Sequence, residues 1–217
     1  MTTLAITVAV VSYLLGSIPF GYLLVRMFRG VDVRQTGSGN IGATNVARTG
    51  SKGLAIVTLV LDALKGYVAV LFALGLAQSP RFSPEILRPE TSYSFAALAA
   101  LCAILGHMFT PWLRFRGGKG VATAVGAFTA IAPRAVLISL ALFLLIVAVT
   151  RYISLGSMVG AAVFPFAAWW LNPFTRTATV LVLMSAPSLL IILRHKDNIR
   201  RLMAGNENRF GAERKPA

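Results

Sequence analysis

Seven stretches of this chain are apolar for about as long as a helix needs to cross the hydrocarbon of a bilayer. They are residues 4–28, 53–77, 93–113, 117–133, 135–151, 153–171 and 177–193. A crossing takes about 20 residues in helical form, with roughly 17 to 25 used in practice. A chain with this pattern is expected to be all-α, a polytopic membrane helix bundle of seven transmembrane helices. The run 117–133 is rich in Gly, Ala and Thr, so hydropathy alone also allows it to be re-entrant. That leaves five or six spans open beside seven. The connections around the fifth and sixth runs are so short that those helices must be antiparallel neighbours.

Composition agrees. Mean hydropathy is +0.73, and 13% of the 217 residues are charged, against about one quarter in a soluble domain. Before the first apolar run stands only Met1-Thr2-Thr3, without the positive segment of a removable signal peptide. The first run is therefore taken as a retained span. No internal repeat or linker divides the sequence, so residues 1–217 are expected to form a single integral membrane domain. Cys102 is the lone cysteine, which forbids an intramolecular disulfide, and no Cys/His spacing suits zinc.

Lysine and arginine give the orientation. Of 21, sixteen fall on one side: between 26 and 52, between 114 and 119, at Arg151, and from Arg194 onward. Arg81, Arg88, Arg134 and Arg176 fall on the other, and Lys65 lies inside a span. The expectation is an external N-terminus and a cytoplasmic C-terminus. The net charge of +14 would suggest nucleic acid in a soluble protein. Here the basic residues alternate with apolar runs, so a membrane surface and anionic substrates are the partners implied, not nucleic acid.

Three polar stretches lie on the basic side. The first, Arg34 to Arg48, holds Gly37, Gly39 and Gly42 with Ser38, Asn40, Thr44 and Asn45, and contains no acid. Glycines let backbone N–H groups approach an anion, and arginine adds bidentate phosphate recognition. A flexible polar connector is the plainer alternative. The second is Gly117-Gly-Lys-Gly120, expected at the cytoplasmic start of a helix, where backbone donors, the positive helix end and a lysine suit a phosphate. Its spacing is not that of a Walker A loop, so a nucleotide is not implied. The third runs from Arg194 to Phe210. His195, Asn198 and Leu202 share one helical face there, beside an apolar stripe of Ile199 and Met203, with Gly205 as the stop. By itself this is a basic interfacial helix at anionic lipid.

Inside the bilayer, Asp62 and Lys65 are one helical turn apart. Buried charges default to function, but such a pair can neutralise itself as a strut, and the structural reading is preferred. His107 is taken as a packing residue. Ser157 can face the cytoplasmic mouth, and Trp112, Trp169 and Trp170 sit near span ends, where indoles anchor interfaces. No Ser-His-Asp set, metal-ligand cluster or His-x-x-x-x-Asp pattern is present. A transporter for a small anion and a purely structural subunit remain as alternatives. The first should show repeated halves, and the second leaves three donor-dense loops unexplained.

Gly37-Ser-Gly-Asn-Ile-Gly-Ala-Thr-Asn45, Phe115-Arg-Gly-Gly-Lys-Gly-Val-Ala-Thr123 and Arg194-His-Lys-Asp-Asn-Ile-Arg-Arg-Leu202 occur in this order, after an early Gly16-Ser-Ile-Pro-Phe-Gly21. Over essentially its whole length the sequence resembles the bacterial acyl-phosphate:glycerol-3-phosphate acyltransferase (PlsY) family. The resemblance implies a seven-span inner-membrane enzyme with its active site facing the cytoplasm. It would move a fatty acyl group from acyl phosphate to the 1-hydroxyl of sn-glycerol 3-phosphate, giving lysophosphatidic acid and inorganic phosphate. It implies no cofactor and no metal, and a separate phosphate acyltransferase to make the donor. Carried over, Ser38, Arg48, Lys119, His195 and Asn198 are the expected catalytic residues. Gly39, Asn40, Thr44, Asn45, Gly117, Gly118, Gly120 and Ser157 are expected on substrate, and Glu207 is expected to organise the tail.

Overall fold

The computed structural model describes residues 2–79 and 89–211. The expected external loop, with Arg81 and Arg88, falls on residues 80–88 and lies outside the described residues. Those that are described form helices and connecting turns, with no strand among them. The solvent dictates this, since in lipid the backbone N–H and C=O groups must be satisfied within the segment, as a helix does.

The first run is broken in two. Helix α1 (Thr2–Ser17) and α2 (Phe20–Arg29) meet at Ile18-Pro19, where proline supplies no N–H. Together they are long and apolar enough for one crossing. A short α3 (Ala43–Ala47) comes next, then α4 (Lys52–Ala77), α5 (Pro89–Met108), α6 (Val121–Ile131), α7 (Pro133–Thr150), α8 (Ile153–Leu171), α9 (Ala178–Leu193) and α10 (Lys196–Met203).

Five helical stretches among the described residues are long and apolar enough to cross, or six if α9 and α10, bent by 49°, are taken as one. The difference from the expected seven lies in α6 and α9. At 1.5 Å per residue the 11 residues of α6 reach about 17 Å, short of the roughly 30 Å of hydrocarbon. Helix α6 starts only at Val121 because Gly120 adopts φ +83°. The expected helical start at Gly117 is therefore a loop, and the other end is set by Pro133.

Packing in lipid rests on close contact rather than on escape from water. Helix α5 is the centre, with Ala96, Ala97, Ala99, Ala100 and Ala103 buried and α1, α4, α6 and α9 around it. Small residues set the closest crossings. A Cβ on Gly16 would overlap the backbone of Ala103 in α5, and one on Gly126 of α6 would overlap that of Ala63 in α4. Helix α7 buries only Ala135 and Val136 and turns Leu137, Leu144, Leu145 and Val149 outward, as a lipid-facing helix does.

Candidate active site

The three polar stretches come together at one end of the bundle, with the α7–α8 turn as a fourth participant. The first is organised by one side chain. Buried Asn45 donates from Nδ2 to the carbonyls of Val33 (3.0 Å), Thr36 (3.0 Å) and Asn40 (2.8 Å), and its Oδ1 accepts the Ser38 N–H at 2.8 Å. Asn40 turns on itself, its Oδ1 accepting from Gly42 N at 2.8 Å. Both amides, expected on substrate, are engaged in shaping the loop. Gly37 and Gly39 hold φ of +56° and +69°, a conformation other L-residues adopt at a cost.

Arg34 is also accounted for. It forms an ion pair with Asp32 (2.6 Å) and lies over the Tyr22 ring, and the Arg34 guanidinium holds the Asp32 carboxyl below the usual range. The acid just outside the stretch thus balances one of its two arginines. What the loop presents outward is Ser38, Gly39 and Thr44, all exposed, with the half-buried Arg48 behind them.

Gly117 and Gly118 lie flat across the end of α5. Their N–H groups donate to the carbonyls of Met108 (3.1 Å) and His107 (3.0 Å), and their carbonyls accept from Arg194 at 3.2–3.4 Å. A Cβ on Gly117 would overlap the His107 carbonyl, and one on Gly118 the His107 ring. This corrects the expectation that both glycines offer N–H groups to a phosphate, because those donors are consumed internally. The glycines are there for clearance. Donors remain at the first turn of α6, whose N–H groups have no partner within the helix.

Lys119 is thereby projected toward the tail. Its Nζ donates to Asn198 Oδ1, and Asn198 Nδ2 donates to Glu207 Oε1 at 2.6 Å. Glu207 is a hub: Ser154 Oγ donates to Oε1 (2.8 Å) and Arg201 Nε to Oε2 (2.7 Å). These bonds hold its carboxyl below the usual range although burial opposes them. Phe210 closes the tail onto the α7–α8 turn, its N–H donating to the Arg151 carbonyl at 2.7 Å and its own carbonyl accepting from Arg151 Nε at 2.9 Å. Burial pushes Lys119 down to about 8, with Glu207 opposing and Arg201 and Arg48 assisting.

His195 caps α10 rather than lying within it. Burial, then the Lys119 charge, pushes it down to about 4, so it is neutral at pH 7. Its Nδ1 is 2.7 Å from the Ile191 carbonyl. A carbonyl only accepts, so Nδ1 carries the proton and Nε2 is left as an acceptor. Ser157 bonds to the Ile153 carbonyl at 2.9 Å, and it is Ser154, one turn earlier, that joins the Lys119–Asn198–Glu207 chain.

Ser154, Arg194 and Arg201 contribute to this network although no sequence motif marks a role for them. The only local signal was a pair of serines on one face of α8. Among the described residues, no group of three or more His, Cys, Asp or Glu side chains gathers to hold a metal ion. A separate groove of about 330 Å³, lined by Ile18, Pro19, Tyr22, Leu23, Trp112 and Leu113, opens at the α1–α2 break.

Comparison with known proteins gives one answer. The family model described as glycerol-3-phosphate acyltransferase matches residues 6–205. A glycerol-3-phosphate acyltransferase of Rhodopseudomonas palustris (strain BisB5) is 44% identical over 214 residues, 99% of this chain and 100% of that one. One from Geobacter sulfurreducens is 48% identical over 206 residues, 93% and 95% of the two chains. The crystal structure of PlsY (YgiH), an integral membrane glycerol 3-phosphate acyltransferase, in its glycerol 3-phosphate form superposes with a TM-score of 0.81 at 36% identity, covering 95% of this chain and 96% of that one. Its lysophosphatidic acid form gives 0.79 at 35% identity, covering 95% of each.

Proposed function

The chain belongs to the glycerol-3-phosphate acyltransferase family, and from that premise we propose that it transfers a fatty acyl group from acyl phosphate to the 1-hydroxyl of sn-glycerol 3-phosphate. The observation that carries the reading is a half-buried lysine, Lys119, held by Asn198 and Glu207 within the field of Arg48. Lys119 and the first turn of α6 bind the glycerol 3-phosphate phosphate. Arg48 and Ser38 take the phosphate of the donor, and the two cations offset the repulsion between two anions held close together.

An acyl phosphate is a mixed anhydride and is already activated. Aligning the acceptor hydroxyl with its carbonyl supplies much of the acceleration, since effective molarities of aligned pairs reach roughly 10⁵ to 10⁸ M. Arg48 and Lys119 stabilise the tetrahedral oxyanion and the departing phosphate. The hydroxyl proton goes to a substrate phosphate oxygen. His195 at about 4 is too weak a base for that step, and its Nε2 instead accepts a hydrogen bond from glycerol 3-phosphate. The acyl chain lies along the apolar groove at the α1–α2 break, between helices and open to lipid. The chain crosses the bacterial inner membrane seven times, with α6 and α9 as its short spans, the N-terminus outside and the site facing the cytoplasm. A separate phosphate acyltransferase supplies the donor.

The test is purified protein in detergent given acyl phosphate and glycerol 3-phosphate. Lysophosphatidic acid and inorganic phosphate are expected in equal amounts, with no product when an acyl thioester replaces acyl phosphate. No phosphate release points to transport or scaffolding. A covalent acyl-protein formed with acyl phosphate alone overturns direct transfer.

A further inference from the structure

Beneath the glycine loop lies a buried cluster that the proposed chemistry does not use. Lys65 Nζ donates to the Ile18 carbonyl at the α1–α2 break at 2.8 Å. It lies 3.0 Å from His107 Nδ1 and 2.8 Å from Asp62 Oδ1, an ion pair whose angles fall short of a directed hydrogen bond. Of the three ammonium protons, two are directed at the Ile18 carbonyl and the His107 ring, and Asp62 balances the charge. Asp62, Lys65 and His107 are all buried.

The arrangement sets the state of the imidazole. His107 Nδ1 is 3.0 Å from the ammonium but 3.5 Å from Asp62 Oδ1. The shorter contact requires Nδ1 to accept, because an ammonium can only donate. The ring proton is then on Nε2, and that edge abuts Gly118 so closely that a Cβ there would overlap it. The His107 carbonyl at the same time accepts the Gly118 N–H at 3.0 Å. His107 thus meets the residue before Lys119 twice, through backbone and ring. Helix α4 grips the first turn of α6 as well, since a Cβ on Gly66, next to Lys65, would overlap the Thr123 carbonyl there. The 117–123 segment therefore rests on one turn of α4 and the last turn of α5.

We propose that Asp62, Lys65 and His107 are positioning residues for glycerol 3-phosphate: the ion pair locks the His107 ring as the Nε2–H tautomer, and the ring is the ledge on which Gly118 and hence Lys119 stand. The inference deepens the proposed function and rests on its assignment of Lys119 to the glycerol 3-phosphate phosphate. Its consequence is selective. Loss of the ledge displaces the cation that binds the acceptor, and a shift of about 1 Å can cost about 10²-fold. Arg48 and Ser38 stand on another loop and keep their places, so binding of the donor is little altered, although kcat falls where Lys119 also meets the departing phosphate.

The chain has two histidines, and their geometry calls for opposite tautomers. A spectrum of protein labelled with ¹⁵N-histidine therefore carries its own reference. His195, whose Nδ1 donates to Ile191, is expected as Nδ1–H, and His107 as Nε2–H, the two assigned by loss of one set in His195→Gln. An Nδ1–H tautomer at His107 in the wild type overturns the proposal, whatever any variant does.

The kinetic arm uses two variants that leave no lone buried charge. His107→Gln keeps the ion pair, and Asp62→Asn with Lys65→Met removes it from both sides. Each is expected to raise the glycerol 3-phosphate KM at least tenfold, with the acyl phosphate KM within about twofold and thermal unfolding in detergent near that of the wild type. A folded variant with an unchanged glycerol 3-phosphate KM overturns the positioning role. Calorimetric titration with glycerol 3-phosphate keeps the two readings apart. Wild type that binds glycerol 3-phosphate yet releases no phosphate from acyl phosphate sinks the functional reading, while the spectrum and the binding difference still judge this one.

Discussion

The loop from Arg34 to Arg48 and the loop from Gly117 to Gly120 are both rich in glycine and basic, but they are built on opposite plans. The first is nearly self-contained. Asn45 makes four hydrogen bonds, all within twelve residues of itself, and Arg34 is balanced by Asp32 two positions away. The second closes its Gly117 and Gly118 N–H groups onto nearby Met108 and His107, but its carbonyls and its lysine are held from far away: by Arg194 at a separation of 77 residues, by Asn198 at 79, and through Asn198 by Glu207. One loop is a platform that presents exposed groups. The other is a mount that presents one cation.

The contrast can be broken most sharply at Asn45. Asn45→Ala removes all four of these bonds; the Val33 and Thr36 carbonyls keep turn bonds from Thr36 and Gly39, but the Asn40 carbonyl and the Ser38 N–H lose the partner that ties them in. At about 1 kcal/mol per hydrogen bond, the loop loses its shape, and turnover should fall by about 10²- to 10³-fold with the helical content unchanged by circular dichroism. If activity survives, the first loop is a connector after all. Glu207→Ala strikes the mount instead, stranding Arg201, Asn198 and Ser154. It should lower both kcat/KM, by roughly ten- to a hundredfold, and the unfolding temperature in detergent, because breaking a buried charge-assisted bond costs about 1.5–3 kcal/mol. Glu207→Gln, which keeps one acceptor, should lose less on both measures.

The pH dependence sharpens the comparison. Lys119 must be charged to bind a phosphate dianion, and burial has lowered it to about 8. As pH rises through that value the cation is lost, so the glycerol 3-phosphate KM should climb toward about tenfold per pH unit. Between 7 and 8 the rise should stay below about twofold, since a group near 8 is still half charged at pH 8 and the substrate phosphate is already a dianion above its second pKa of about 6. A KM flat to pH 9.5 would remove Lys119 from the site. The smallest effect is expected at Thr44, exposed on the platform, where Thr44→Ala should change kcat/KM by less than about threefold, in the range of surface substitutions.

The same contrast explains what could be read from the sequence. The all-helical, membrane-crossing character and the long apolar helices were legible because their signal is local, hydropathy over about 20 residues. The second loop misled in its details. Gly117 and Gly118 looked like phosphate donors, but their N–H groups close onto α5, a contact that depends on where α5 ends. The short reach of α6 comes from the left-handed turn at Gly120 and from Pro133, which hydropathy does not register. His107 looked inert because its partners, Asp62 and Lys65, lie more than 40 residues away on another helix. Ser154 went unnoticed because its partner, Glu207, is 53 residues off.

The central claim is that the mount places one lysine to take the glycerol 3-phosphate phosphate. Its most direct test is calorimetric titration of glycerol 3-phosphate into the purified protein and into Lys119→Met, at pH 7 and without donor. The account predicts saturable binding by the wild type, weakened at least tenfold in the variant, in line with about 1.5–3 kcal/mol for a hydrogen bond to a charged group. Equal dissociation constants for the two proteins would contradict it.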